Sequence, residues 1–254
     1  GAERPLAAAP SRDEQWPMWS PDGRSVVFAF IGQDPASGIA VVDVATGAER
    51  LAGTSGPSNW FFRPHFAPDG RRIVAQRRRG SSPGSGLWLL EAGTTPRLLL
   101  DDLTVFYQKP WFTRDGTGIL YSARPVSGGL RDVYLVAADG SGAPRLVAGS
   151  PDADDHSGIP SPTRDEIAFV SSRDGSMDIF LAPLSGGPAR NLTRTPDRDE
   201  YAPQFSPDGE RLVFSAEPAR PRPTGAGDDL VLEASRLVVV DREGRPLFET
   251  PGLM

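Results

Sequence analysis

The sequence contains no cysteine, which excludes disulfide bonds, thiolate zinc sites and thiol nucleophiles. Histidine is almost as rare: His65 and His156 are the two in the chain, which leaves few general bases for catalysis. No run of about 18 apolar residues is present, so the sequence holds no candidate transmembrane helix. The first ten residues, GAERPLAAAP, lack the apolar stretch of a signal peptide and look like the start of a processed or excised piece.

An excess of positive charge is also absent, because 33 Asp and Glu residues outnumber 27 Lys and Arg residues and the net charge at pH 7 is −6. A nucleic-acid-binding domain usually carries a basic face, so this balance argues against nucleic acid as a partner. Turn-forming residues are abundant by contrast, with 28 glycines and 26 prolines among 254 residues. They occur at regular intervals, which is typical of turns between short strands and not of one disordered tract.

A short phrase recurs along the chain. It joins an aromatic residue to a turn of the Ser-Pro-Asp-Gly type and then to an apolar strand; its turn aspartates are Asp22, Asp69, Asp115 and Asp208. The first three lie 46 or 47 residues apart, and the last gap spans two such periods. A degenerate copy, IPSPTRDEIAFVSS, falls in that gap without the aromatic residue or the turn glycine. We expect a shortened turn there, with Asp165 as its aspartate.

Each copy has the internal pattern of one propeller blade. Four short apolar stretches alternate with Gly- and Pro-containing turns, and four antiparallel strands every 40–50 residues or so is the spacing of β-propeller blades. The sequence therefore predicts one all-β domain over residues 1–254, a β-propeller with four-stranded antiparallel blades. The five copies span residues 14–53, 59–100, 105–149, 154–195 and 200–250.

Burial explains why such sheets should be arranged in a ring. One four-stranded sheet with two half-apolar faces cannot cover either face by itself, whereas stacked neighbours cover one another and ring closure protects the end sheets. Five blades are favoured because five copies are visible, and six remain possible. Residues 1–10 repeat a fourth-strand phrase, so they either pair with the last blade and close the ring or belong to a sixth blade.

Two stretches carry a family resemblance. The phrase WSPDG at Trp19, together with SRDGSMDIFLAPLSGG from Ser172, resembles the TolB-type β-propeller repeat, and the resemblance covers about Glu14 to Thr250. It implies a bacterial, non-catalytic scaffold that recognises another protein or a peptide. It also implies a periplasmic or otherwise extracytoplasmic location. No cofactor is expected.

Residues that enter the innermost strands would gather around the central channel of a propeller. Here they mix charged and aromatic side chains, which suits a binding mouth, although water-filled channel linings are polar in any case. Aromatic residues in the segments that lead into these strands extend the set. The candidate binding residues are Glu14, Trp16, Trp60, Phe62, Arg63, Tyr107, Lys109, Asp155, His156, Glu200 and Tyr201.

Motifs for catalysis or metal binding are few. Asp152 and Asp154 lie in an acidic loop whose spacing fails that of a calcium loop, so they are weak metal candidates and a solvated loop is the simpler interpretation. Ser82 in GSSPG matches the spelling of a nucleophile elbow without the strand and helix that an elbow requires. We expect no enzyme activity. The alternative is a hydrolase or lyase with three channel carboxylates, Glu14, Asp155 and Glu200.

The sequence thus favours a monomeric protein-binding or peptide-binding module that uses channel-mouth and rim loops. Neither nucleic acid binding nor membrane insertion is expected. Two other functions stay open. The chain could be the ligand-sensing extracytoplasmic domain of a receptor or kinase, or the propeller that gates a peptidase whose catalytic domain lies outside this sequence.

Overall fold

A computed structural model describes residues 6, 12–32, 37–55, 59–79, 85–102, 105–219 and 235–251. The regular secondary structure of these residues consists of β-strands, and 20 strands form five four-stranded sheets. Each sheet is an antiparallel meander in which consecutive strands are neighbours. This is the architecture of a five-bladed β-propeller, so the predicted fold class is confirmed. Within the same residues, no helix is long and apolar enough to cross a membrane.

The strands follow the chain from sheet to sheet. Sheet 1 contains β1 (Arg12–Trp19), β2 (Ser25–Gly32), β3 (Ser37–Asp43) and β4 (Glu49–Ser55). Sheet 2 contains β5 (Asn59–Phe66), β6 (Arg72–Arg79), β7 (Ser85–Glu91) and β8 (Arg97–Asp102). Sheet 3 contains β9 (Val105–Phe112), β10 (Gly118–Pro125), β11 (Asp132–Ala137) and β12 (Arg145–Ala148).

The last two sheets complete the set. Sheet 4 contains β13 (Asp155–Pro160), β14 (Glu166–Ser171), β15 (Asp178–Pro183) and β16 (Arg190–Asn191). Sheet 5 contains β17 (Arg198–Phe205), β18 (Arg211–Pro218), β19 (Arg236–Asp241) and β20 (Pro246–Glu249). Residues 1–10, where a closing strand is predicted, lie outside the described residues except for Leu6.

The chain divides into two compact units. The first unit comprises Gly1–Ile119 and Val136–Gly142, and the second comprises Leu120–Leu135 and Ala143–Met254. In the first unit, facing sides of sheets 1 and 2 form a core of aliphatic and aromatic side chains. Its buried members are Val27, Ala29, Ile39, Val41, Ala52, Phe61, Ile73, Ala75 and Leu90. Because β2 is buried on both sides, its sequence is a continuous apolar run, not an alternating one.

The core of the second unit includes the facing sides of sheets 3 and 4. Leu120 and Val133 pack there against Ile167 and Phe180. Gly158 allows the close approach, because a Cβ at that position would lie 2.7 Å from the Val133 side chain. Within each unit, apolar packing therefore holds these neighbouring sheets together and positions their strands.

A five-residue turn joins the first two strands of each sheet. In sheet 1, the Ser20 hydroxyl donates to the Asp22 carboxylate (2.6 Å), which also accepts the backbone N–H of Arg24 (3.0 Å). Gly23 follows with a φ of 69°, a left-handed conformation that glycine adopts without steric cost. The turns at Asp69, Asp115 and Asp208 likewise pair a capping aspartate with a left-handed glycine. This geometry accounts for the recurring Asp-Gly phrase.

The fourth of these turns is not shortened, contrary to the prediction. Five residues separate β13 from β14, as in the other sheets. Thr163 occupies the place of the turn aspartate, and the prediction that Asp165 does so is wrong. The Ser161 hydroxyl accepts the backbone N–H groups of Thr163 (3.4 Å) and Arg164 (3.2 Å). This hydroxyl replaces the aspartate cap, so the turn keeps its length without a left-handed glycine.

We expect Gly209→Ala to destabilise the protein more than Gly23→Ala. Both glycines have left-handed φ angles, 73° and 69°, so the backbone strain of alanine costs about 1–2 kcal/mol at either position. A Cβ on Gly209 would also collide with the Thr163 side chain, whereas a Cβ on Gly23 would meet no atom within 4 Å. Urea denaturation should give the lower midpoint for Gly209→Ala. Equal midpoints would show that Thr163 moves aside without cost.

Candidate functional site

Every first strand contains one non-glycine residue in a left-handed conformation. The φ angles of these residues lie between 47° and 55°. The pairing register shifts at the same place, for example between Gln15 and Met18 in sheet 1. Such a β-bulge interrupts the pairing and redirects a side chain. The five bulge residues are Trp16, Arg63, Lys109, Ser157 and Ala202.

Proline marks these bulges in the sequence, a signal that the blade repeat alone does not reveal. The residue after the bulge residue is Pro17, Pro64, Pro110 or Pro203 in four sheets and Gly158 in sheet 4. Proline cannot donate a ladder hydrogen bond, so within sheets it is confined to edge strands, strand starts and bulges. In four of the five first strands, an internal proline therefore indicates where pairing is interrupted.

The bulges cost free energy and differ in what they present. A left-handed φ costs a non-glycine residue about 1–2 kcal/mol. Because all five sheets contain a bulge, the bulge itself belongs to the blade architecture. Trp16, Arg63 and Lys109 in the first unit have large side chains, whereas Ser157 and Ala202 in the second have small ones. Glycine would relieve the strain at all five positions. The large side chains in the first unit are therefore not explained by the bulge itself, and binding is one function that would explain them.

The first unit brings aromatic and cationic side chains together on the neighbouring strands β1, β5 and β9. The rings of Trp16 and Phe62 meet edge to face, with 5.2 Å between their centroids. All members of this group are half-buried, so each keeps part of its surface in solvent. We call this group the aromatic–cationic surface; it consists of Trp16, Trp60, Phe62, Arg63 and Lys109.

Glu14 and Tyr107 are the other predicted site residues of the first unit. Glu14 is half-buried, and its carboxylate accepts a hydrogen bond from the Arg12 guanidinium (3.5 Å). The same guanidinium is paired more closely with Glu49 (2.7 Å), so Glu14 takes part in a local charge network. The side chain of Tyr107 lies outside the described residues, and so does Ser82.

His65 packs in the first unit as a neutral side chain. Its ring lies 3.8 Å from the ring of Trp111, centroid to centroid. Burial, assisted by the nearby charge of Arg63, lowers the pKa of His65 to about 3. A histidine with such a pKa stays uncharged at neutral pH, and its buried position keeps it away from any substrate in solvent.

The predicted residues of the second unit are largely inside the protein. Asp155, His156 and Glu200 expose only 0%, 3% and 1% of their surfaces. His156 Nδ1 lies 2.8 Å from the Ser157 hydroxyl, and its ring stacks on the half-buried ring of Tyr201 at 6.5 Å. Three of the four predicted residues therefore cannot touch a large partner, and we do not include them in the candidate surface.

Asp155 is held by a partly buried ion pair. Arg173 Nη2 donates to its Oδ1 (2.9 Å), and the guanidinium also lies over the rings of Phe169 (5.4 Å) and Phe180 (4.9 Å). Burial raises the pKa of Asp155, and the hydrogen bond of the Ser171 side chain, followed by the hydrogen bond and charge of Arg173, opposes that shift. A carboxylate enclosed in this way is not presented to a substrate.

Glu200 is enclosed by hydrogen bonds from the segment that joins sheets 4 and 5 and from sheet 4. Thr195 Oγ1 donates to Oε1 (2.7 Å), while the Thr193 hydroxyl and the backbone N–H of Ile179 (3.2 Å) donate to Oε2. Burial outweighs these bonds and raises the pKa of Glu200 to about 7. Glu200 is therefore partly protonated near neutral pH, in a place that solvent does not reach.

The acidic loop is divided between an ion pair and solvent. Arg131 binds both oxygens of Asp154, with Nε 2.9 Å from Oδ1 and Nη2 2.5 Å from Oδ2. Burial alone would raise the pKa of Asp154, but the Arg131 hydrogen bonds and charge lower it. Asp152 is exposed. No group of three or more His, Asp and Glu side chains in the described ranges is placed to hold a metal ion.

Comparison with known proteins points to one family. The model of the TolB β-propeller domain family matches residues 11–219. The Tol-Pal system protein TolB of Francisella tularensis subsp. mediasiatica is 23% identical over 166 residues, which is 65% of this chain and 37% of that protein. Tricorn protease homolog 1 of Streptomyces coelicolor is 34% identical over 84 residues, which is 33% of this chain and 8% of that protein. The chain thus spans well under half the length of either relative.

A solved structure has the same fold. It is described as a putative TolB from Agrobacterium tumefaciens, and it matches 98% of this chain and 85% of its own with a TM-score of 0.72. The two sequences are 22% identical, so this likeness shows the fold alone.

Proposed function

Since the chain belongs to the TolB β-propeller domain family, we propose that it is a non-catalytic module that binds a protein or peptide through its aromatic–cationic surface. The F. tularensis relative is named as a protein of the Tol-Pal system, so the family includes a member of a multi-component system. Trp, other aromatic residues and Arg are the side chains most enriched at protein interfaces.

The observation that carries the proposal is the set of large side chains on strained bulges. Trp16, Arg63 and Lys109 each occupy a left-handed position where glycine would be easier to accommodate. The bulges also fix the direction of these side chains before any partner arrives. Such preorganisation reduces the entropy that binding must otherwise lose.

We expect the double variant Arg63→Gly, Lys109→Gly to fold normally and to lose its partner. Glycine adopts the left-handed backbone conformation without strain, which stabilises the folded protein. Its greater conformational freedom in the unfolded chain has the opposite effect. The free energy of unfolding should therefore stay within about 1 kcal/mol of the wild-type value. Partner affinity should fall at least roughly tenfold, as expected when interface hot spots are truncated. The immobilised protein would first be used to capture partners from the source organism, and the dissociation constant of the purified partner would then be measured.

Ala202→Gly is the matched control. It makes the same backbone change at an equivalent bulge but removes no large side chain. Its partner affinity should equal that of the wild type. Equal affinity for the double variant and for Ala202→Gly would refute the proposed surface. A variant in which Tyr201 is replaced by alanine tests the one half-exposed candidate of the second unit separately.

A second candidate is the non-catalytic propeller of a peptidase. The S. coelicolor relative is named a protease homolog, and the matched segment is a small part of it. In that case the surface would contact unfolded peptides and not a folded partner. Competition of the captured partner by a proteolytic digest of casein would favour this alternative, whereas competition only by the intact folded partner supports the first proposal.

Location and oligomeric state are part of the same proposal. We propose that the module acts as a monomer outside the cytoplasm, which is the location implied by its resemblance to TolB-type repeats. Sedimentation equilibrium measures the oligomeric state, and fractionation of the source cells measures the location. A cytoplasmic location together with specific partner binding would keep the binding function and overturn only the location.

A further inference from the structure

Two buried carboxylates occupy equivalent positions at the starts of sheets 4 and 5. The backbone N–H of Asp155 donates to the carbonyl of Arg131 (2.8 Å), and that of Glu200 donates to the carbonyl of Met177 (2.7 Å). In both places, the preceding aspartate accepts the N–H of that same Arg131 or Met177. Residues 145–155 and 190–200 therefore correspond position by position, which allows the two surroundings to be compared.

One of the two hydroxyl groups that satisfy Glu200 is missing around Asp155. Thr193 and Thr195 donate their hydroxyls to Glu200, but Ala148 and Ser150 stand in their places in the earlier segment. Asp155 is itself one methylene shorter than Glu200. The exchanges remove one hydroxyl, two methyl groups and one methylene from the interior at this place.

One carboxylate oxygen consequently has nothing to bind. The Asp155 carboxylate is stabilised by the Ser171 hydroxyl and by Arg173, which donates to Oδ1, whereas the buried Oδ2 meets no donor at hydrogen-bonding geometry among the described residues. An ionised carboxylate oxygen only accepts, so its natural complement is a donor or a cation. Buried polar atoms without partners are rare in folded proteins, and each such atom is a candidate for an unseen ion or water.

A second carboxylate lies beside the first. Asp132 corresponds to Asp178, which accepts a hydrogen bond from Asn191 Nδ2 (2.7 Å). Leu146 stands in the place of Asn191, so Asp132 lacks this donor and accepts a long bond from the Tyr134 hydroxyl (3.3 Å) together with the backbone N–H of Ser150. Burial raises the pKa of Asp132, the hydrogen bonds from the Tyr134 hydroxyl and the Ser150 backbone oppose that shift, and repulsion from Asp155 and Asp154 adds to it.

The charges of the cluster do not balance. Asp132, Asp154 and Asp155 contribute three negative charges, and Arg131 and Arg173 contribute two positive ones. Arg131 is committed to Asp154, so the excess negative charge falls on the other two aspartates. In the later segment the corresponding problem at Glu200 is met by two hydroxyl donors and partial protonation.

We propose that Asp132 and Asp155 bind a calcium-type cation in the space vacated by the missing threonine groups. Ca²⁺ takes about six to eight oxygen ligands in flexible geometry, including carboxylates, backbone carbonyls and water. The two carboxylates supply the charge, and backbone carbonyl groups and water would complete the coordination. A Cβ on Gly149 would lie 2.6 Å from Asp132 Oδ1, so glycine keeps this approach open. Mg²⁺ demands near-octahedral geometry and retains several waters, which suits an enclosed site poorly.

The test measures thermal unfolding of the whole chain with and without Ca²⁺. After treatment with a chelator, Ca²⁺ at about 100 times its dissociation constant should raise the Tm by about 5–10 °C, and Mg²⁺ should not. Tb³⁺ serves as a direct probe, because Tyr134 lies next to Asp132 and can sensitise its luminescence. Ca²⁺ should displace Tb³⁺ and reduce its luminescence over the same concentration range in which Ca²⁺ raises the Tm.

The repeat itself provides the decisive variant. The double substitution Ala148→Thr, Asp155→Glu restores the threonine hydroxyl and the longer carboxylate that are found at Thr193 and Glu200. This variant should fold and lose the Ca²⁺-dependent rise in Tm. Asp132→Asn should weaken Tb³⁺ binding at least tenfold. Asp152→Asn, an exposed aspartate in the same loop, is the matched control and should keep the full response.

Three outcomes would overturn the proposal. The first is no effect of millimolar Ca²⁺ or Tb³⁺ on the wild type. The second is an equal response in the wild type and in the rebuilt double variant. The third is loss of the response in Asp152→Asn, which would place the ion in the exposed loop. If the wild type is stabilised by acid and not by Ca²⁺, a shared proton holds the two aspartates instead. The proposal does not depend on the partner-binding function.

Discussion

Replacing Arg173 with leucine should destabilise the protein by about 3–5 kcal/mol, the usual effect of removing one partner from a buried ion pair. The Asp155 side chain is fully buried, while Arg173 is one-quarter exposed. Without the guanidinium, Asp155 Oδ1 would lose the Arg173 donor while Oδ2 has no hydrogen-bond partner among the described residues, so the buried carboxyl group would keep only the Ser171 hydroxyl as a side-chain donor. The stacking of Arg173 on Phe169 and Phe180 would be lost as well.

A double-mutant cycle separates the charge from the packing. Asp155→Asn removes the buried charge, so Arg173→Leu should cost less in the Asp155→Asn background than in the wild type. The coupling between the two residues should be at least about 1 kcal/mol, which exceeds the usual additivity error. Urea denaturation in the presence of a chelator gives the four free energies of unfolding without any contribution from bound cations.

An exposed ion pair supplies the control for this cycle. Arg245 pairs with Asp241 at 2.6 Å, but its side chain is 73% exposed. Solvent screens such a pair, so Arg245→Leu should leave the urea midpoint nearly unchanged. If Arg173→Leu were as mild as Arg245→Leu, the guanidinium would not be what stabilises Asp155.

The blade architecture was predictable because it depends on sequence patterns that are local and repeated. Alternating apolar stretches and Asp-Gly turns specify each four-stranded sheet, and the capping hydrogen bonds at Asp22 and its counterparts explain why those letters recur. The fourth turn was mispredicted because a different residue performs the same task. The Ser161 hydroxyl replaces the aspartate cap, and no count of Asp and Gly reveals that substitution.

The candidate site was less predictable because burial is a property of packed sheets and not of sequence position. From the sequence, Asp155 and Glu200 are polar residues at the start of a strand and would be expected at the surface, yet both are buried. Periodicity places a residue in a strand, but a bulge shifts the alternation of faces from that point onward. The prolines after Trp16, Arg63 and Lys109 contained this information, since proline inside a strand indicates interrupted pairing.

Replacing Glu200 with glutamine should make the protein more stable at pH 8 and less sensitive to pH. Burial raises the pKa of Glu200 from 4.5 to about 7, so ionising it within the folded protein is unfavourable. Each unit of pKa difference corresponds to about 1.4 kcal/mol, which gives an upper value of about 3 kcal/mol at pH 8. Glutamine is nearly isosteric, and its oxygen can accept the bonds from Thr193 and Ile179.

The sign of the pH effect follows from the direction of the shift. Between pH 4.5 and about 7 the folded state binds more protons at Glu200 than the unfolded state does, so the stability contributed by this group decreases as pH rises. It is fully present below pH 4.5 and is lost as the pH passes through about 7. Capping aspartates such as Asp115, whose pKa is held at about 2 by the Thr113 hydroxyl and other hydrogen bonds, act in the opposite direction at lower pH.

The free energy of unfolding of Glu200→Gln and of the wild type, measured in urea from pH 4.5 to 8, isolates this contribution. The difference should be smallest at pH 4.5 and should grow by about 2–3 kcal/mol in favour of glutamine by pH 8. Glu91→Gln, at an exposed glutamate, is measured alongside as the control for the amide substitution itself. A flat difference for Glu200→Gln would mean that Glu200 ionises as easily in the folded protein as in the unfolded chain. Thr193 and Thr195 would then stabilise a carboxylate at neutral pH and not a carboxylic acid.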